Sequence, residues 1–186
     1  MNDKSAQPGS AYFLDSAHAP DEVHTLSVVV DNEPGVLARV IGLFSGRGYN
    51  IESLTVSETE HEAHVSRITI QTSGTAMVLE QIKTQLERLV PVHSVADLTV
   101  TGNAIERELA LIKVAGKGEH RVEALRLADA FRAHVVDATN DSFVFELTGR
   151  VRKVDQFITL MQPLGLIEVV RTGIAAISRG PEAMKI

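Results

Sequence analysis

The residues best suited to chemistry are Asn32-Glu33-Pro34-Gly35, then Val36-Leu37, and Asn50-Ile51 after an intervening amphipathic stretch. Their types point to recognition of a small anion rather than to bond making. Asn32 is a favourable N-cap, and Pro34 suits a first helical turn because its missing N–H would be unbonded there anyway. The free N–H groups and the positive end of the helix dipole attract a carboxylate or phosphate. Gly35, without a Cβ, lets a ligand approach the backbone. The same residues would equally start a helix with no ligand.

Other candidates are weaker. His61 and His64 with Glu58, Glu60 and Glu62 have the donors for a metal, but also the composition of a solvated hairpin loop. Gly116-x-Gly118 before a helix suits a phosphate turn, yet the full dinucleotide fingerprint is missing and a tight turn explains it as well. Arg47, Arg67 and Arg107 are available to a nucleotide or a protein partner, or are simply solvated. No Ser/His/Asp arrangement stands out. The absence of cysteine removes thiol nucleophiles, disulfides and cysteine-ligated metals.

The elements that must position these residues follow from periodicity. His24–Val30 reads as a strand and Pro34–Ser45 as a helix with Val36, Leu37, Val40, Ile41 and Phe44 on its apolar face. Asn50–Ser57 and Val65–Thr72 read as strands joined by the polar loop Glu58–Ala63. Thr75–Leu89 is a helix through Leu79, Ile82, Leu86 and Leu89, and Val92–Val100 a closing strand. The order βαββαβ then repeats. Arg107–Val114 is a strand, Glu119–Arg132 a helix with Val122, Leu125 and Phe131 inward, and Val135–Thr139 with Ser142–Thr148 a hairpin across Asn140-Asp141. Val151–Met161 is a helix, and Leu166–Arg171 closes the unit.

The fold class is therefore α+β, two tandem ferredoxin-like βαββαβ domains of roughly 75 residues each. Residues 1–22 are expected as a flexible tail, 23–101 as the first domain, 102–106 as a linker, 107–180 as the second domain and 181–186 as a short tail. Each unit leaves one sheet face needing cover, so pairing of units within or between chains is expected.

Composition narrows the function. A formal charge of −6, no Trp and two Tyr are poor material for nucleic-acid binding, which favours basic patches and aromatic platforms. No apolar run approaches the roughly 18–20 residues needed to span a bilayer, and the N-terminus lacks the basic start and apolar core of a signal peptide. A cytoplasmic protein without membrane contact is the expectation.

The first unit resembles an ACT domain, a module that binds amino acids between paired copies. The stretch from His24 to Gly180 resembles the small regulatory subunits of acetolactate synthase (acetohydroxyacid synthase). The resemblance rests on Asn32-Glu33-Pro34-Gly35-Val36-Leu37-Ala38-Arg39-Val40, Leu43-Phe44-Ser45, Arg47-Gly48-Tyr49-Asn50-Ile51-Glu52-Ser53-Leu54, Ser66-Arg67-Ile68-Thr69-Ile70, Arg107-Glu108-Leu109-Ala110-Leu111-Ile112-Lys113-Val114 and Ile177-Ser178-Arg179-Gly180, all in order.

The resemblance implies a non-catalytic subunit of branched-chain amino acid biosynthesis that dimerises through its ACT domains. It would activate a large catalytic subunit carrying thiamine diphosphate, magnesium and FAD, holding no cofactor itself, and make it sensitive to L-valine, often also to leucine or isoleucine. The implied effector site centres on Asn32, Gly35 and Asn50, in the setting of Glu33 and Pro34, with Val36, Leu37 and Ile51 as apolar wall. Pro34 stands where some members carry a small polar residue. The second unit has Ala115-Gly116-Lys117-Gly118-Glu119 in place of the first turn. The alternative is a stand-alone ACT-type sensor of amino acids, or of metal through His61 and His64.

Overall fold

A computed structural model describes residues 21–60, 64–100, 102 and 104–184. The first unit runs β1 (Glu22–Asp31), α1 (Val36–Arg47), β2 (Ser53–Glu60), β3 (Val65–Gly74), α2 (Ala76–Glu87), β4 (Val92–Asp97). Its strands form an antiparallel sheet in the order β2-β3-β1-β4. The second unit repeats the plan with β5 (Ala104–Ala115), α3 (Gly118–Phe131), β6 (His134–Ala138), β7 (Ser142–Gly149), α4 (Val151–Met161) and β8 (Leu166–Arg171), in the order β6-β7-β5-β8. These are the two ferredoxin-like units that periodicity predicts.

Each core is a sheet face packed against two helices. Leu26, Val28 and Val30 of β1 meet Val40 and Phe44 of α1 and Ile82 and Leu86 of α2. In the second unit, Ala110, Ile112 and Val114 meet Phe143, Phe145, Val154 and Phe157. Side chains alternate between the two faces of a strand, so a strand with only one covered face should alternate in burial. In β1 every residue from His24 to Val30 is buried, so this strand is covered on both faces.

The second cover comes from the chain itself. A ninth strand, β9 (Ala175–Ser178), pairs antiparallel with Ala104–Arg107 at the start of β5. Ile174 and Ala176 pack with Leu98 behind the first sheet, with Ala96, Ala104 and Val151 around them. The segment 102–106, expected as a linker, therefore contributes the start of β5. A short run of small residues gives no periodic signal, which is why β9 is not legible in the sequence.

Other boundaries differ for local reasons. α1 starts at Val36 rather than Pro34, with Gly35 as its N-cap. β1 begins at Glu22, inside the segment expected as a tail. β2 starts at Ser53 and runs to Glu60, into the expected loop; His61–Ala63 lie outside the described residues. β4 stops at Asp97, whose carboxylate accepts the amides of Thr99 (2.9 Å) and Val100 (3.3 Å) and turns the chain. On α3 the inward residues are Ala124 and Ala128 with Leu127 and Phe131, whereas Val122 (52% exposed) and Leu125 (39%) face outward. Small alanines let the helix sit close to a core already filled by Phe143, Phe145 and Phe157, and this packing overrides the larger apolar side chains.

The two units meet closely at Gly173. The amide of Ile174 donates to Ser53 Oγ at 2.9 Å, and Thr55 Oγ1 to the Thr172 carbonyl at 3.4 Å. Gly173 has φ +82°, and a Cβ there would lie 2.8 Å from Ser53 Oγ, 2.9 Å from Thr55 Oγ1 and 3.3 Å from the Leu54 carbonyl. Gly173→Ala should destabilise the chain by about 1–3 kcal/mol in urea denaturation, from strain and displaced neighbours together. Gly42→Ala, within α1 and facing open space, should instead stabilise by about 0.5–1 kcal/mol. Equal midpoints for Gly173→Ala and the parent would contradict this contact.

Candidate functional site

The turn before α1 is built by Pro34 and Gly35. The amide of Val36 donates to the Glu33 carbonyl at 3.3 Å, and Gly35 has φ 88° and ψ −7°. Proline at the second position and a left-handed glycine at the third make a type II turn. This geometry gives the N-cap to Gly35 rather than to Asn32, and no side chain caps the helix. The first turn of α1 carries no acidic residue, and the Leu37 and Ala38 amides have no backbone acceptor among the described residues. These are donors at the positive end of a 12-residue helix.

The frame behind the turn is fixed. The amide of Asn32 donates to the His64 carbonyl at 2.7 Å and that of Asp31 to Pro91 at 2.9 Å, while Asp31 Oδ1 pairs with His93 Nε2 at 2.7 Å. Asn32, Glu33, Pro34, Gly35 and Leu37 are exposed on this frame. Val36 is not: its side chain is 4% exposed and packs in the core. Of the two residues after Gly35, Leu37 is the one that offers apolar surface to a ligand.

Asn50 and Ile51 lie elsewhere. The chain leaves α1 through Gly48, in the left-handed region, and the Tyr49 amide closes the helix on Phe44 at 3.0 Å. Thr72 Oγ1 donates to the Asn50 carbonyl at 2.6 Å, and the Glu52 amide to Gln71 at 2.8 Å. The Asn50 side chain is exposed, and Ile51 is half-buried against the core.

Register measures the separation. Ser53 stands opposite Gln71, which stands opposite Thr25, whereas Asp31 and Glu60 both stand opposite Val65. Thr25 and Asp31 are at opposite ends of a stretch of strand about 20 Å long. The length of α1 agrees, at about 16 Å from its first to its last residue. Asn32 and Asn50 are therefore at opposite ends of the sheet, and one chain does not bring them around one small ligand.

The remaining candidates resolve differently. At Gly116-x-Gly118, Arg121 reaches back over the turn, donating to the carbonyls of Gly116 (3.4 Å) and Thr139 (2.9 Å) and stacking 4.0 Å from the Phe143 ring centroid. The position equivalent to the open turn before α1 is thus filled by the chain's own cation. His61 and Glu62 lie outside the described residues; among the described residues no group of three or more His, Cys, Asp or Glu is arranged to hold a metal ion. No described helix is long and apolar enough to cross a membrane.

One feature between the units has no signal in the sequence, because its partners are far apart along the chain. Arg171 donates to both oxygens of Glu108 (2.8 and 2.6 Å) and to Asp155 (2.7 Å), beside a cleft of about 460 Å³ that also includes Glu52, Ser53 and Gln71. The hydrogen bonds to Glu108 outweigh the effect of burial and raise the pKa of Arg171. The cleft's principal charges are thus spent on one another.

The chain matches the family described as the small subunit of acetolactate synthase over residues 107–180, and the AHAS small subunit-like ACT domain over residues 26–94. A probable acetolactate synthase small subunit from Archaeoglobus fulgidus is 48% identical over 157 residues, covering 84% of this chain and 97% of its own length. The isozyme 3 small subunit of Escherichia coli is 44% identical over 161 residues, covering 86% and 98%. The crystal structure of the acetolactate synthase small subunit from Thermotoga maritima is similar with a TM-score of 0.78 at 38% identity, covering 87% of this chain and 99% of that one.

Removing Arg171 should leave Glu108, only 5% exposed, as an uncompensated buried carboxylate. Arg171→Met is expected to cost roughly 2–3 kcal/mol, less than a fully enclosed pair because the arginine is partly exposed. Adding Glu108→Leu should recover most of that loss in the same denaturation assay. A double variant no more stable than Arg171→Met would contradict the pairing.

Proposed function

This chain belongs to the acetolactate synthase small-subunit family, and we propose that it is the valine-sensing regulatory partner of a thiamine-diphosphate-dependent catalytic subunit. The reading is supported most by the turn at Gly35, where free helix amides face solvent with an asparagine beside them. A valine carboxylate would accept from the Leu37 and Ala38 amides, and an asparagine carbonyl oxygen would accept from its ammonium. Carbon–carbon bond formation would belong to the thiamine cofactor of the partner, with magnesium and FAD also held there.

The separation of Asn32 from Asn50 sets the form of the site. In a two-fold dimer each surface meets its own copy, so residue i of one chain faces residue j of the other. Strand β2 is an edge of the first sheet, with unpaired backbone groups available to a second strand. Antiparallel pairing of β2 with its copy would carry Asn50 of one chain toward the end of the sheet where the other chain's Asn32 turn sits. Two effector sites then form per dimer, each shared, with Leu37 and Ile51 supplying apolar contact.

This arrangement couples ligand to assembly. An effector shifts a partner only by its differential affinity for two states, and the coupling, typically about 1–3 kcal/mol, acts in both directions. Selectivity among branched side chains would be modest, because one methylene in an apolar pocket is worth only about 1–3 kcal/mol. Leucine and isoleucine should therefore also elicit a response.

In reconstitution with the large subunit, Asn32→Ala and Gly35→Asp should weaken valine inhibition by about 10- to 100-fold, the value of a hydrogen bond to a charged group. Activation of the partner should be largely retained. Parallel loss of activation and inhibition would make the turn structural. Saturable amino-acid binding with no effect on any thiamine-dependent partner would favour a stand-alone sensor.

A further inference from the structure

The back face of the first sheet holds a second enclosure that the effector turn does not use. Ser27 of β1 pairs with Thr69 of β3, and Val29 with Arg67, two positions along the same ladder. By strand alternation Ser27 and Arg67 share the face opposite the helices. Ser27 is 1% exposed and its Oγ has no hydrogen-bond partner; the buried Nε of Arg67 has none either. Buried polar groups without partners are few in folded proteins and call for an explanation.

Both residues line one cavity of about 230 Å³. Its other walls are largely apolar, with Leu98 and Ala176 on one side and the chain's C-terminal stretch to Met184 on another. Glu182 also lines it, and among the described residues no ion pair joins it to Arg67. The enclosure thus offers two hydrogen-bond donors and one guanidinium charge at one wall, hydrocarbon at the others, and one carboxylate that disfavours a multiply charged anion.

We propose that this cavity binds a small monocarboxylate with a short hydrocarbon chain. The carboxylate accepts from Arg67 Nε–H and Ser27 Oγ–H, and the chain packs against Leu98, Ala176 and Met184. A ligand held there bridges the first sheet and the segment after β9, so its occupancy tightens the contact between the units. The site is separate from the turn at Gly35, on a different face of the sheet.

The test is titration of sodium isobutyrate, a branched monocarboxylate without an ammonium group, into the full chain, followed by calorimetry and amide NMR shifts. Saturable binding in the millimolar range is expected, with shifts at Ser27, Thr69 and Ala176, and it should persist in Asn32→Ala. Arg67→Gln should weaken it roughly tenfold or more, as the loss of a charge-assisted hydrogen bond would. Ser27→Ala should weaken it by a smaller factor while leaving the fold intact, since the hydroxyl it removes has no partner to lose. The proposal is overturned by absence of saturation, by equal affinity in Arg67→Gln and Ser27→Ala, by loss of binding in Asn32→Ala, or by inorganic phosphate competing as well as isobutyrate.

Discussion

The separation that α1 and the β1–β3–β2 ladder impose on Asn32 and Asn50 is the constraint on which the functional account depends. Both ends are pinned by hydrogen bonds: the turn through backbone amides to the His64 and Pro91 carbonyls, the Asn50 stretch through the Thr72 hydroxyl to the Asn50 carbonyl and the Glu52 amide to Gln71. A rigid helix and a paired strand do not fold up around an amino acid. If both asparagines contact one effector, the second must come from another chain, and ligand binding becomes a statement about how two copies sit together. Under the proposed function, such a link would make small-molecule binding felt by a large partner.

The second unit is mechanically continuous with the first. β5 is shared: its first four residues pair with β9 behind the first sheet, while the rest pairs with β7 and β8 in the second. Gly173 brings the backbone after β8 against Ser53 and Thr55 of β2, the edge strand proposed to meet its copy. Arg171, two residues earlier, ties β8 to β5 and α4. A change at the edge of the first sheet therefore meets tightly packed atoms of the second unit within a few residues. The relatives align across both units with 97% and 98% of their own lengths, so this continuity lies within the region they share.

Much of the fold was legible because its signal is local. Leu79, Ile82 and Leu86 mark α2 by spacing alone, and Val154, Phe157 and Met161 mark α4; all six are buried. The misreadings arise where tertiary packing or turn geometry decides. Asn32 has the chemistry of an N-cap, but Pro34 and Gly35 form a turn that moves the helix start beyond it. Val122 and Leu125 have the hydrophobicity of core residues, yet Ala124 and Ala128 fit the space beside the phenylalanines. The residues of the proposed site are recognisable by type. Their division between the two ends of the sheet follows from strand register, which sequence proximity conceals.

The most direct test of the shared site mixes two defective chains. Asn32→Ala and Asn50→Ala are each purified, allowed to exchange subunits, and titrated with L-valine alone and together. If each site takes its turn from one copy and Asn50 from the other, a mixed dimer has one doubly altered site and one intact site. Each variant alone should then bind about 10- to 100-fold more weakly than the parent, and random exchange should restore about a quarter of the parental high-affinity capacity, as two-fold symmetry requires. A mixture that regains no high-affinity sites, despite demonstrated exchange, would place both asparagines in the same site of a single chain, and parental binding by either variant alone would place that asparagine outside the site; each result would contradict the account.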